Sequence, residues 1–154
     1  MIKSLFDAGV RDQGERASME GFMDDSGLVT LQSAHSAAET LTRLEAVLKT
    51  KGIQVFARID HAASAASVGL ELRPTLLLIF GDPRAGTALM QADQRVGLDL
   101  PLKALIWEDA GGQAFVTYND PRWIARRHGL TGPAAEAAGR LAAGLEGLAN
   151  TATG

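Results

Sequence analysis

Cysteine is missing from this 154-residue chain. That removes disulfides, thiolate nucleophiles and sulfur-ligated metals together. Aromatic residues are scarce at 5%, so the two tryptophans and the single tyrosine are worth tracking one by one. A dominant charge is lacking too: the formal net charge is −3, and no basic field invites nucleic acid or an anionic membrane. No run approaches the roughly 20 apolar residues that span a bilayer. The opening MIKSLFDAGVRDQGERASMEG has only a short apolar patch, without the long hydrophobic region of a secretory signal. The default expectation is a cytoplasmic protein.

The remainder is ordinary, with 46% hydrophobic and 21% charged residues. The length suits one domain with a sizeable core and is cramped for two. Residues 1–26 read as an arm or short docking element, carrying Ile2, Leu5, Phe6, Val10, Met19, Phe22 and Met23. A single domain is expected over 27–150, followed by a tail over 151–154.

Within the domain, Gly27 to Ala34 reads as a short strand. Ser36 with Glu39 forms a capping-box pattern, and Leu41, Leu44, Val47 and Leu48 then recur at helical spacing. IQVFARID is a second strand, and HAASAASVG a short helix capped by Asp60. RPTLLLIFG is the most apolar strand; its lack of alternation predicts burial on both faces. DPRAGTALMQADQRVGLDLP is broken by glycine and proline, with a short helix expected from Thr87 to Arg95. LKALIWEDA and QAFVTYND form a hairpin around Gly111-Gly112. Asp120 and Pro121 begin a short helix, and the Ala-rich segment from Pro133 forms the last one. This order predicts an α+β fold: a single, mostly antiparallel sheet packed against helices. The long crossover helices of a parallel dinucleotide fold are missing.

Several stretches could carry chemistry. Asp60-His61 offers a proton carrier beside a carboxylate, although neighbours on a strand point to opposite faces. A capping or hydrogen-bonding role explains the same pair. His35, His61 and His128 lie 26 and 67 residues apart, without a local metal-binding pattern, and no metal or cofactor is expected. FGDPRAGT resembles an anion-binding loop but lacks the order of a phosphate loop, and a rigid turn accounts for it equally. Trp123 with Arg122, Arg126 and Arg127 makes a basic patch, more often a solvated helix than an RNA site. One grouping rests on geometry. Alternation puts Phe56, Arg58 and Asp60 on one strand face, and Lys103, Leu105, Trp107 and Asp109 on another. If those faces coincide, the surface suits a small polar ligand; the plainer reading is a dimer interface.

Taken in order, Phe56-Ala57-Arg58-Ile59-Asp60-His61, Arg73-Pro74-Thr75, Phe80-Gly81-Asp82-Pro83, Gly86-Thr87, Leu100-Pro101-Leu102-Lys103 and Trp107-Glu108-Asp109 resemble one family, domain of unknown function 302. The resemblance covers about residues 27 to 121. It implies a TBP-like topology (β-α-β4-α) and pairing into homodimers, and it brings no activity. Asp82 stands where the family pattern often has Asn; either residue starts the same turn. The TBP-like label describes topology and does not license DNA binding.

The expectation is therefore a homodimer that binds a small polar or anionic ligand through Arg58, Asp60, His61, Arg73, Lys103 and Trp107, without nucleic-acid or membrane partners. One alternative is an acid/base enzyme using His61 with Asp60 or Asp109. The other is a structural or interaction dimer with no small-molecule site.

Overall fold

The computed structural model describes residues 25–154. The apolar positions expected to form an N-terminal arm, Ile2 to Met23, lie outside the described residues. Strand β1 (Leu28–Gln32) leads into helix α1 (Ala37–Thr50), followed by β2 (Gln54–Asp60), α2 (His61–Ser67) and β3 (Thr75–Gly81). Helix α3 (Pro83–Ala92) and a 3₁₀ turn (Gln94–Asp99) precede the β4 (Leu102–Glu108) and β5 (Ala114–Asn119) hairpin. Helices α4 (Pro121–Arg127) and α5 (Gly132–Thr153) close the chain. The five strands make one sheet in the order β1-β5-β4-β3-β2, antiparallel at every pairing.

Local chemistry sets most of the boundaries. Ser36 Oγ accepts the Glu39 N–H at 3.1 Å, starting α1, while the Glu39 carboxylate turns to His35 Nδ1 at 3.1 Å. Asp60, Asp82 and Asp120 cap α2, α3 and α4, each accepting a first-turn N–H at 2.8–2.9 Å. At the hairpin, Asp109 Oδ1 accepts the N–H groups of Gly111 and Gln113, both at 2.9 Å. Gly112 there adopts φ +80°, a backbone state that side chains disfavour. Gly27 has φ +78°, and a Cβ at that position would fall on the Trp123 side chain, 2.8 Å from its own Cβ. The Gly27 carbonyl accepts the Asp120 N–H at 2.8 Å, tying the start of β1 to the end of β5.

Burial alternates along the strands. Leu78, Phe80, Ala104, Ile106, Ala114, Val116 and Tyr118 are buried on one face, where Leu44 and Leu48 of α1 and Leu145, Leu148, Ala149 and Ala152 of α5 complete the core. A second cluster, Leu89, Val96, Ile124, Ala125 and Ala138, joins α3, the 3₁₀ turn and α4 to α5. The small buried residues of α5, Ala138, Ala142, Ala149 and Ala152, let it lie close to its neighbours. Its end is held firmly. Ala34 N–H donates to Thr153 O at 2.9 Å, His35 Nε2 bonds Gly154 O at 2.8 Å, and Arg43 donates to the carbonyls of Ala152, Thr151 and Gly154 at 3.0–3.2 Å.

Three expectations change. Helix α3 starts at Pro83, ahead of Thr87, because Asp82 caps it and Pro83 tolerates the first turn. The segment expected as a tail continues α5 through Thr153, whose side chain is buried against the Ala149 carbonyl. Strand β3 is interior in the sheet, yet only Leu78 and Phe80, on its helix-facing side, are fully buried.

Candidate functional site

The surface that alternation suggested across β2 and β4 does not form. Arg58 is registered opposite Leu78, and Leu78 opposite Ala104, so Arg58 lies on the helix-covered face. There it pairs with Glu45 of α1. Lys103, Leu105 and Trp107 are registered opposite Ile79, Leu77 and Thr75 on the other face, together with Ala57 and Ile59 of β2. Cross-strand partners share a face, so register decides which side chains can meet. A bulge between Val55 and Ala57 breaks the simple alternation and sends Phe56 to the end of the sheet near Gly81 and Pro101.

The proton-carrying pair is not assembled either. Asp60 Oδ1 accepts the Ala63 N–H and Asp109 Oδ1 holds the hairpin turn, and neither carboxylate bonds His61 among the described residues. His61 is an exposed first residue of α2. Arg73 Nε donates to the Glu108 carbonyl at 3.3 Å. The other histidines are engaged separately: His35 with Glu39 and Gly154, His128 with Asp99 at 2.6 Å. Among the described residues no group of three His, Cys, Asp or Glu could hold a metal ion. In the basic patch, Arg122 pairs with Asp120 and Arg127 with Asp99, and the Arg127 guanidinium lies 5.7 Å from the Trp123 ring centre.

Two features instead stand out. The first is the sheet face opposite the helices. It carries Leu28, Ile59, Leu77, Ile79, Leu105, Trp107 and Phe115, none of them fully buried. Among the strand residues registered on that face, Lys103 alone is charged. Trp107 stacks on Phe115 with ring centres 4.7 Å apart, and its indole N–H donates to Thr117 Oγ1 at 2.9 Å. Thr117 in turn meets Thr30 Oγ1 at 2.8 Å. The indole is thus fixed by a stack and a hydrogen bond while its ring stays accessible. Trp107 belonged to the expected site; Phe115 and Ile79 did not, although strict alternation along AFVTYN would have placed Phe115 with Thr117.

The second feature is an apolar cavity of about 300 Å³ between the bulged end of β2, α3, the 3₁₀ turn and α5, lined by Phe56, Gly86, Met90, Leu100, Leu102 and Leu141 among others. Of the residues expected to bind ligand, none lines it. Elsewhere, Asp93 is held at about 2 by its hydrogen bonds to Arg95, and the Arg95 guanidinium is raised in turn. Tyr118 is pushed up to about 12, chiefly by burial and then by the charges of Glu146 and Asp120.

Comparison with known proteins agrees with this architecture. The family described as domain of unknown function DUF302 matches residues 29–148. A crystal structure of an uncharacterized conserved DUF302 protein from Bacillus stearothermophilus superposes with a TM-score of 0.74 at 20% identity, covering 82% of this chain and 98% of that one. Curated relatives named fluoride-specific ion channel FluC 1, from Brucella suis biovar 1 and Brucella abortus biovar 1, are 55% identical over 106 residues. That match takes in 69% of this chain but only 42% and 39% of theirs. Among the described residues no helix is long and apolar enough to cross a membrane.

Proposed function

Because the chain belongs to the DUF302 family, which is defined by a domain of unknown function, we propose a role from its own geometry: it is an assembly domain that pairs with a second copy through the open sheet face. The observation that carries this reading is the distribution of side chains on the sheet. Helices α1 and α5 bury the centre of one face, while the other presents aliphatic and aromatic residues with threonines, a few amides and one lysine among them. An apolar patch with aromatics at its centre and little charge is the composition of an interface core. Lys103 is compatible with it, since a lysine stem covers apolar surface while its ammonium reaches the rim. In the Brucella proteins a domain of this kind would bring two longer chains together, whatever the rest of each chain does. A cytoplasmic site of action belongs to the same proposal, and microscopy of a fluorescent fusion tests it.

A small polar or anionic ligand forms no part of this reading. Arg58 and Asp60 lie on the opposite side of the sheet from Lys103 and Trp107, so the six expected residues do not converge. Acid/base catalysis by His61 lacks an orienting carboxylate, because among the described residues neither Asp60 nor Asp109 makes a hydrogen bond or ion pair to it; each directs its Oδ1 to backbone N–H groups.

Sedimentation of the full chain tests the assembly. We expect a species of twice the 16.2 kDa chain mass at tens of micromolar, and a folded monomer for Leu105→Glu. Leu98→Glu, at a side chain 74% exposed on the 3₁₀ turn, should leave the dimer intact. A native chain that sediments as a monomer throughout, or a Leu105→Glu protein that stays dimeric, would rule the proposal out.

A further inference from the structure

The apolar cavity beside α3 is independent of the sheet face. Its volume of about 300 Å³ sits at the lower end of small-molecule sites and corresponds to on the order of ten non-hydrogen atoms. Three glycines help to make the space: Gly81, Gly86 and Gly97 all line it. Gly86 is the informative one. It lies inside α3, where glycine is about 1 kcal/mol less favourable than alanine, and its backbone angle is an ordinary negative one. An added Cβ would make only van der Waals contact, at 3.8 Å, with Leu100 and Met90 across the cavity. Neither backbone geometry nor crowding requires glycine here; what a side chain would remove is the open volume.

The polar groups at the rim define the occupant's head. Asp82 lines the cavity and uses only Oδ1, for the Arg84 N–H. That leaves Oδ2 without a hydrogen bond among the described residues. The Thr87 hydroxyl, also lining, is likewise unengaged among the described residues. The N-terminal N–H groups of α3 that would attract an anion already face a built-in carboxylate. An anionic ligand is therefore disfavoured at the FGDPRAGT segment, and a hydrogen-bond donor or cation is favoured.

We propose that this cavity binds a small amine with an aromatic or short aliphatic body, the hydrocarbon lying among Phe56, Met90, Leu100 and Leu141 and the ammonium meeting Asp82 and Thr87. Backbone amide NMR of the full chain, titrated with phenethylamine and separately with phenylacetate, compares one ring with two head charges. We expect phenethylamine to shift the amides of Gly81, Gly86, Gly97 and Leu102, with a dissociation constant on the order of 1 mM. Phenylacetate should bind about fivefold more weakly or worse. Gly86→Leu, which fills the space from a helical position, should weaken phenethylamine about tenfold or more. If that variant does not fold, Gly86→Ala should still weaken it several-fold. Asp82→Asn keeps a capping side chain and should collapse the preference between the two probes. No shifts at these amides with either probe, shifts unaffected by a folded Gly86 variant, or equal binding of both probes to the native chain would each overturn the proposal.

Discussion

Replacing Gly27 with alanine isolates one packing contact, because the chain supplies its own control. Gly27 and Gly112 have nearly the same backbone angle, φ +78° and +80°, but opposite surroundings. A Cβ at Gly112 meets nothing within 4 Å, whereas at Gly27 it would overlap the Trp123 side chain and approach its Cβ at 2.8 Å. Forcing an L residue into this left-handed region costs about 1–2 kcal/mol at either site. At Gly27 the Trp123 ring must also move. Its indole N–H donates to the Asp25 carbonyl at 3.2 Å and its ring packs in the second core cluster, so an overpacking term of about 1–3 kcal/mol adds to the backbone term. Urea unfolding should therefore show Gly112→Ala down by about 1–2 kcal/mol and Gly27→Ala down by about 2–5 kcal/mol. In a Trp123→Ala background, which removes the ring but keeps the Cβ that a Gly27 side chain would approach at 2.8 Å, the excess at Gly27 should shrink without vanishing. Equal losses at the two glycines in the native background would refute the packing of Trp123 over Gly27.

The alkaline limit and one helix cap give further outcomes. Tyr118, whose pKa rises to about 12 on folding, is the only tyrosine in the chain, so tyrosinate absorbance reports on it alone. Its raised value means the folded state resists ionisation. That contribution is complete below about pH 10, where the unfolded tyrosine titrates, and is lost as pH climbs through about 12. A folded-state midpoint near 10, or an alkaline loss of stability unchanged in Tyr118→Phe, would contradict the burial described. Asp120→Ala should cost about 1–2 kcal/mol through loss of the α4 cap, and Asp120→Asn clearly less, because an amide oxygen still accepts the Arg122 N–H. Chemical denaturation that finds the two variants equal would show that the cap is not what this carboxylate contributes.

Helix starts were legible because their chemistry is local. Ser36, Asp60 and Asp120 each announce a helix within three residues, and each caps one. Asp82-Pro83 carries the same signal as Asp120-Pro121, yet Gly86 four residues on disfavours a helix, so the pattern predicts a start at Thr87, four residues after the one observed. The fold class followed from the hairpin glycines and the missing crossover helices. Which residues meet across the sheet did not follow. Alternation gives two faces per strand but no common reference between strands, so Arg58 and Lys103 could be grouped only by assumption. The register that separates them depends on pairing at long range, and the bulge at Phe56 on the end of β3 it meets. The apolar run LLLIF has no alternation and so predicts burial on both sides. Leu78 and Phe80 are covered, while Leu77 and Ile79 stay half-buried on the open face. The cavity was invisible for a different reason, since it is formed by side chains that are absent at Gly81, Gly86 and Gly97.

The grip of Ala34, His35 and Arg43 on the last turn of α5 also fixes a direction in space. Any polypeptide joined after Gly154 would leave from an anchored helix end, with no slack before its first residue. The orientation of α5 would then be transmitted to whatever follows. A rigid reporter fused there would behave as a pointer whose angle is set by this domain, and a long flexible spacer would be needed to undo that.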